Sequence, residues 1–211
     1  MNWITRWKKI GIKVKQIFKR QPIGQESSDW KNCPQCKKIS YKPDLFNNLY
    51  ICECSFHFDL PPKLRLESLF DSNYELIEAS DSIDPDPLNF EVKDGARQGY
   101  KYIDKVKKYR KVTEQQTALM CAAGNISGLS AVVVCFNPKF GAGRFGPAEN
   151  EHFLKAANFA VQNKVDIWIV IYQSSGIDVH TGVTGLAGMT KGIIAMDEIK
   201  KNNIPTFCVA A

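Results

Sequence analysis

At 211 residues, with 44% hydrophobic and 24% charged residues, the chain is long enough for one medium domain with a small appendage and too short for two full-sized ones. No run approaches the roughly 18 apolar residues of a membrane-spanning helix, so no transmembrane segment is expected. Residues 1–20 hold seven Lys/Arg and no acid, so the net +6 leaves 21 basic against 22 acidic residues elsewhere; the body has no basic field to draw nucleic acid.

In the N-terminal stretch, Trp3, Trp7, Ile10, Val14 and Ile17 recur every three or four residues with Lys and Arg between them, which predicts a basic amphipathic helix over 1–21. It lacks the continuous apolar core and small-residue cleavage site of a signal peptide. It suits docking on the chain's own body or a partner, a membrane surface, or an organelle transit role.

A polar linker, 22–29, leads into a cysteine cluster. Four of the seven cysteines, Cys33, Cys36, Cys52 and Cys54, fall within 22 residues. A CxxC knuckle presents two thiolates from one turn, and a second pair beyond an intervening hairpin completes a zinc-ribbon pattern over 22–60. The segment between the pairs reads as two short strands around Asn47 and Asn48. The second knuckle is CxC, a spacing that makes it harder for both sulfurs to face one ion, so His57 stands as a substitute ligand beside the plainer reading of an exposed side chain. Cys121, Cys135 and Cys208 sit singly in apolar surroundings and are expected to be small core residues. An odd cysteine count with one tight cluster points to a reducing, cytoplasmic setting.

Residues 61–112 form a polar connection, with Pro61-Pro62 breaking the chain, a short helix over 63–70 and an extended course at 84–87. From Tyr100 to Lys111 the sequence is strongly basic, a solvated helix face or a contact for a phosphate-rich ligand. The main domain, 113–211, reads β-α-β-α-β: strand 131–136, helix 149–164, strand 166–172, helix 184–202 and a closing strand, PTFCVA. Continuous apolar strands alternating with helices predict a largely parallel sheet covered on both faces, with ligands at the strands' carboxyl ends. Two small-residue loops lie there, one from Phe140 to Gly146 and one at Ser174-Ser175-Gly176. Such loops offer backbone N–H groups to an anion or a developing oxyanion. No catalytic triad can be assembled, and His152 and His180 lack any spacing that identifies a base.

These residues resemble the beta subunit of bacterial acetyl-coenzyme A carboxylase carboxyltransferase. MNWIT is similar to the opening of alpha-proteobacterial members. The run Trp30 to Cys36, then Asn48 to Cys52, Cys54 and His57, resembles the family's zinc ribbon. Asp86-Pro87-Leu88-Asn89-Phe90, Lys101-Tyr102-Ile103-Asp104-Lys105 and Thr113 resemble its entry into the catalytic domain. Phe140, Gly143, Gly146 and Glu151 keep step with one family loop, and Ser174 to Gly182, Leu186, Met189 and Lys191 with another. Asp178 stands where the family has an arginine, and Thr181 where it has a glutamate.

The resemblance implies a crotonase-like α/β core, incomplete at its C-terminus, so that a sheet edge and apolar surface are expected to be exposed. It implies transfer of a carboxyl group from carboxybiotin on a carrier protein to acetyl-CoA, giving malonyl-CoA for fatty-acid synthesis. The N–H groups of Ser175 and Gly176 would hold the oxyanion, Gly143, Gly146, Lys101 and Lys105 would contact substrate, and zinc would sit on Cys33, Cys36, Cys52 and Cys54. The implied partners are the alpha subunit, the biotin carboxyl carrier protein and biotin carboxylase. The alternative is a non-catalytic relic or assembly module built around the ribbon.

Overall fold

The structure, a computed structural model, describes residues 29–80, 82–93 and 99–211. The basic helix expected over 1–21 and nearly all of the 22–29 linker lie outside the described residues.

The ribbon opens with β1 (Trp30–Asn32) paired antiparallel to β2 (Ile39–Tyr41). The two strands expected around Asn47 and Asn48 are replaced by a helix, α1 (Lys42–Asn47). Pro43 explains the difference: it lies in the first helical turn, where its missing N–H costs nothing, and Asp44 follows it with a charge suited to that end. The second predicted helix is found as α2 (Pro62–Leu69), begun in the same way by a proline.

The body is one sheet. Strand β3 (Glu75–Ile77) lies on one edge; then come β6 (Leu119–Ile126), β7 (Leu129–Phe136), β8 (Ile167–Tyr172) and β9 (Thr206–Ala210). Strands β4 (Glu91–Val92) and β5 (Tyr100–Lys101) make a separate ribbon before α3 (Tyr102–Thr113). Helix α4 (Pro147–Gln162) crosses from β7 to β8, and α5 (Gly182–Lys201) from β8 to β9.

The β7–β8–β9 part is parallel as expected, but β3, β6 and β7 are antiparallel, so the sheet is mixed. Strand β6 was not legible because LMCAAGNI lacks alternation and holds a single β-branched residue, Ile126, at its end. It forms as the first arm of a hairpin whose turn, Ser127 and Gly128, holds both residues at positive φ. Asp71 accepts hydrogen bonds from both turn N–H groups at 2.8 Å, and these hold its carboxyl below the usual carboxylate range. The 61–112 stretch therefore does more than connect: it adds β3 to the sheet and α2 to its face.

Alternation along the strands divides the core. Val132, Val134, Trp168 and Val170 pack under α4 and α5 with Phe153, Ala156, Ala160 and Ile199. Val133, Cys135 and Ile171 face the other way, onto Leu66 and Phe70. Each such large side chain contributes about 1.5–3 kcal/mol by leaving water. Cys121 and Cys135 are core residues as expected, and burial pushes the Cys135 thiol up to about 11. Cys208 is not: it lies exposed on β9, an edge strand on which Phe207 and Val209 are also exposed. The exposed sheet edge and apolar surface expected from the resemblance are therefore found.

His152, on α4, ties β3 to the body. Its Nε2 donates to the Ile77 carbonyl at 2.6 Å, and Nδ1 meets the Thr117 hydroxyl at 2.8 Å. That arrangement is met by a neutral ring, and burial pushes its pKa below the ordinary value. The stability it supplies is full above about pH 6.5 and is lost as pH falls through the lowered pKa. A fall in Tm between pH 7 and 5 that is smaller in His152→Gln than in the parent is the expected result.

Candidate functional site

The two loops at the carboxyl ends of β7 and β8 are joined to each other. Phe145 N–H donates to the Gly176 carbonyl at 2.9 Å and Asp178 N–H to the Phe145 carbonyl at 3.1 Å, a short parallel ladder. Ser175 N–H donates to the Ala142 carbonyl at 2.9 Å, and the Ser174 hydroxyl to the Gly143 carbonyl at 2.5 Å.

Gly143 permits this approach. Its φ is +68°, and a Cβ there would lie 2.1 Å from the Gln173 carbonyl oxygen. Gly143→Ala therefore combines left-handed strain with backbone overlap and is expected to cost at least about 2 kcal/mol in urea unfolding. Gly146 is buried too, and its N–H donates at 3.0 Å to Glu149 in the first turn of α4. Both glycines, expected to meet substrate, are packed between the loops.

Gly176 differs. It is exposed, its φ is +98°, and apart from its own chain neighbours no atom lies within 4 Å of the position a Cβ would take. It borders an open cavity of about 570 Å³ lined by Phe136, Phe145, Tyr172, Ser174 and Ile177. Its N–H donates to the Ser174 hydroxyl at 3.0 Å. Both N–H groups assigned to an oxyanion thus have partners within the chain.

Beneath the loops lies a charged cluster whose partners cannot be read from spacing. Arg144 and Asp178 are buried at 4% and 3% exposure and form an ion pair. The Tyr102 hydroxyl donates to the same Asp178 oxygen and accepts from Arg144. Glu149, fully buried, lies 3.5 Å from the other Arg144 nitrogen and accepts at 3.0 Å from the N–H groups of Ala118 and Gly146. Burial pushes the Asp178 carboxyl up, but the Tyr102 hydrogen bond and the Arg144 charge outweigh it and hold the pKa below the usual range. The acid at 178 is therefore paired with a cation from the opposite loop.

Of the basic stretch, Lys101 is exposed at the start of α3, and the Lys105 ammonium stacks 3.3 Å from the Tyr100 ring centroid. Tyr102, between them, connects this helix end to the loops. Glu151 and Lys191, which both fall in step with the resemblance, form an ion pair between α4 and α5.

In the ribbon, the Sγ atoms of Cys33, Cys36, Cys52 and Cys54 all lie within 4.8 Å of one another, a group that can hold a metal ion. Cys33 and Cys54 are 3.6 Å apart and Cys36 and Cys52 3.7 Å. The CxC spacing is no obstacle: Cys52 to Ser55 form a tight turn, closed by the Ser55 N–H donating to the Cys52 carbonyl at 2.8 Å with Ser55 at φ 66°, and this turn brings both sulfurs into the group. His57 is exposed and lies outside the group, which favours its plainer reading. Burial raises the Cys33 thiol, but the N–H groups of Cys36 and Gln35 outweigh it and bring it down to about 7; burial lifts Cys54 to about 12.

Among the described residues, no helix is long and apolar enough to cross a membrane. Residues 100–210 match the carboxyl transferase domain family. The acetyl-coenzyme A carboxylase carboxyl transferase subunit beta of Pelagibacter ubique is 32% identical over 99% of this chain and 66% of its own length. The protein of the same name from Agrobacterium fabrum is 28% identical over 99% of this chain and 67% of its own. The chain thus spans about two thirds of these relatives. Among solved structures, transcarboxylase 12S superposes with a TM-score of 0.52 at 15% identity, over 72% of this chain and 26% of that one. The beta subunit of geranyl-CoA carboxylase from P. aeruginosa gives 0.50 at 16%, over 79% and 26%. At such identities the likeness is one of fold, and the fold is the crotonase-like carboxyltransferase core that the resemblance implies. With more than half of its length matched, the chain belongs to the carboxyl transferase domain family.

Proposed function

We propose that the chain is the carboxyltransferase beta subunit of an acetyl-CoA carboxylase, working with an alpha subunit, biotin carboxylase and a biotin carboxyl carrier protein in fatty-acid synthesis. The observation that carries this reading is the similarity to beta subunits along 99% of the chain, with Gly176 open to a cavity at the strand ends. The carboxybiotin of the carrier supplies the carboxyl group. In that exchange the methyl C–H bond of acetyl-CoA would break, the new C–C bond would form, and the ureido nitrogen freed of its carboxylate would take the proton.

What the chain's own residues contribute is stabilisation of the enolate oxygen and binding of coenzyme A. Gly176 N–H is the donor that a simple rotation of the Ser174 side chain would free. Ser175 N–H would join it only if the loops part. Lys101 and Lys105 would meet the phosphates. Acetyl-CoA binding by calorimetry tests the reading: Lys101→Glu with Lys105→Glu should weaken it at least about fivefold, in line with about 0.5–1 kcal/mol for each exposed charge. An intact chain that does not bind acetyl-CoA overturns it.

Zinc is the metal we assign to the ribbon. A tetrahedron of 2.3 Å Zn–S bonds has edges of about 3.8 Å, close to the observed pair separations. The domain limits we propose are a ribbon over 22–60 and a carboxyltransferase core over 113–211, with 61–112 linking them and lending β3 to the core sheet. A second reading, a non-catalytic assembly module, is favoured by one observation: the N–H groups of Ser175 and Gly176 are both already bonded.

A further inference from the structure

Arg144, Asp178 and Tyr102 come from three elements: the loop after β7, the loop after β8 and the first turn of α3. Their polar groups meet at one point that solvent hardly reaches. The two Asp178 oxygens are divided between elements. One takes Arg144 and Tyr102; the other accepts from the His180 N–H at 3.2 Å and faces its Nδ1 at 3.1 Å. The Tyr102 ring also stacks on the His180 ring, 4.3 Å between centroids and 2° from parallel. The start of α3 is therefore attached twice to the segment that follows Gly176. Arg144 is braced on its far side by Glu149, which is itself fixed by two N–H groups.

We propose that Arg144, Asp178 and Tyr102 form a positioning clamp, which holds the Gly176 loop in register with the basic start of α3 so that both ends of one acyl-coenzyme A are met by a single rigid frame. For its ligand, the inference rests on the carboxyltransferase reading above. The clamp itself rests on the contacts alone. Gly176 is exposed and its loop belongs to no strand or helix beyond the single bridge to Phe145, so without the cluster it would be held by a few backbone bonds. With it, the thioester end and the phosphate end of a ligand gain from being presented together, because binding one end raises the effective concentration of the other. The three residues touch each other rather than the ligand, so they are positioning residues.

The test uses the full chain with its metal, and the variants Asp178→Asn and Tyr102→Phe, the second of which removes only a hydroxyl. Hydrogen exchange at residues 174–178 should quicken about tenfold or more in each, with residues 131–135 of β7 unchanged. Binding of 3′,5′-ADP, which carries only the phosphate end, should stay within about twofold, while acetyl-CoA should lose about fivefold or more. Unchanged exchange in both variants overturns the clamp, and equal loss of both ligands overturns its positioning role. A parent chain that binds neither ligand overturns the coenzyme A assignment, while exchange still decides the clamp.

Discussion

Replacing Arg144 by Met is expected to lower stability by about 3–5 kcal/mol, the range for removing one partner of a buried ion pair. The side chain is nearly preserved in volume, so the loss comes from charge. Asp178 and Glu149 would both remain buried, one beside Tyr102 and one beside two backbone N–H groups, with no cation between them. For a chain of this size the change corresponds to a fall of roughly 6–20 °C in Tm. Lys101→Ala, at an exposed position, should move Tm by no more than about 2 °C. If Arg144→Met melts with the parent, the cluster is not the interior brace described above.

Cys54→Ser is expected to take bound zinc from about one equivalent per chain to nearly none, and to unfold the ribbon while leaving the sheet intact. The ribbon has little else to hold it. Its buried core is Cys33, Leu45, Cys52 and Phe58, and two of those four are candidate ligands. Units below about 40 residues usually require a metal or disulfides to fold, and structural zinc supplies about 10–16 kcal/mol in small ribbons and fingers. Metal analysis with hydrogen exchange over residues 30–58 reads both effects. A folded, metal-free ribbon in the parent would contradict the assignment. His57→Ala should leave zinc content unchanged, since that side chain lies outside the group.

The parts of the fold that could be read in advance are those in which one local signal dominates. β7 and β8 are continuous apolar runs because both of their faces are covered, and α4 and α5 follow them with helical periodicity. β6 escaped because Ala122, Ala123 and Gly124 have no strand preference of their own; pairing with β7 along eight residues makes them a strand. α1 escaped because the Asn47-Asn48 pair outweighed the helix-starting Pro43 in a reading for turns, although Asn48 is in fact the C-cap.

The site divides in the same way. The four ribbon cysteines are close in sequence and their spacing alone exposes them. The loops could be placed from the strand ends that precede them. The partnership of Arg144 with Asp178, 34 residues apart, depends on the α4 crossover bringing β7 and β8 into register, and no local pattern contains it. One signal was available: an acid at a position where the resemblance has a cation invites a search for a compensating charge, and Arg144 stands in the facing loop. The engagement of Ser175 N–H by Ala142 could not be foreseen, because it needs the close loop contact that Gly143 allows.

The central claim is that these loops support carboxyl transfer, and the reverse reaction tests it most directly. The chain, assembled with a verified alpha partner, is supplied with malonyl-CoA and free biotin, and acetyl-CoA formation is followed with and without biotin. The account predicts biotin-dependent conversion that falls strongly in Gly176→Pro, which removes the N–H donor and also displaces the loop because proline cannot adopt the φ of +98° found there, with Lys139→Ala, on the surface, as the unaffected control. Absence of biotin-dependent turnover in a complex shown to be assembled would contradict it and leave the assembly-module reading in its place.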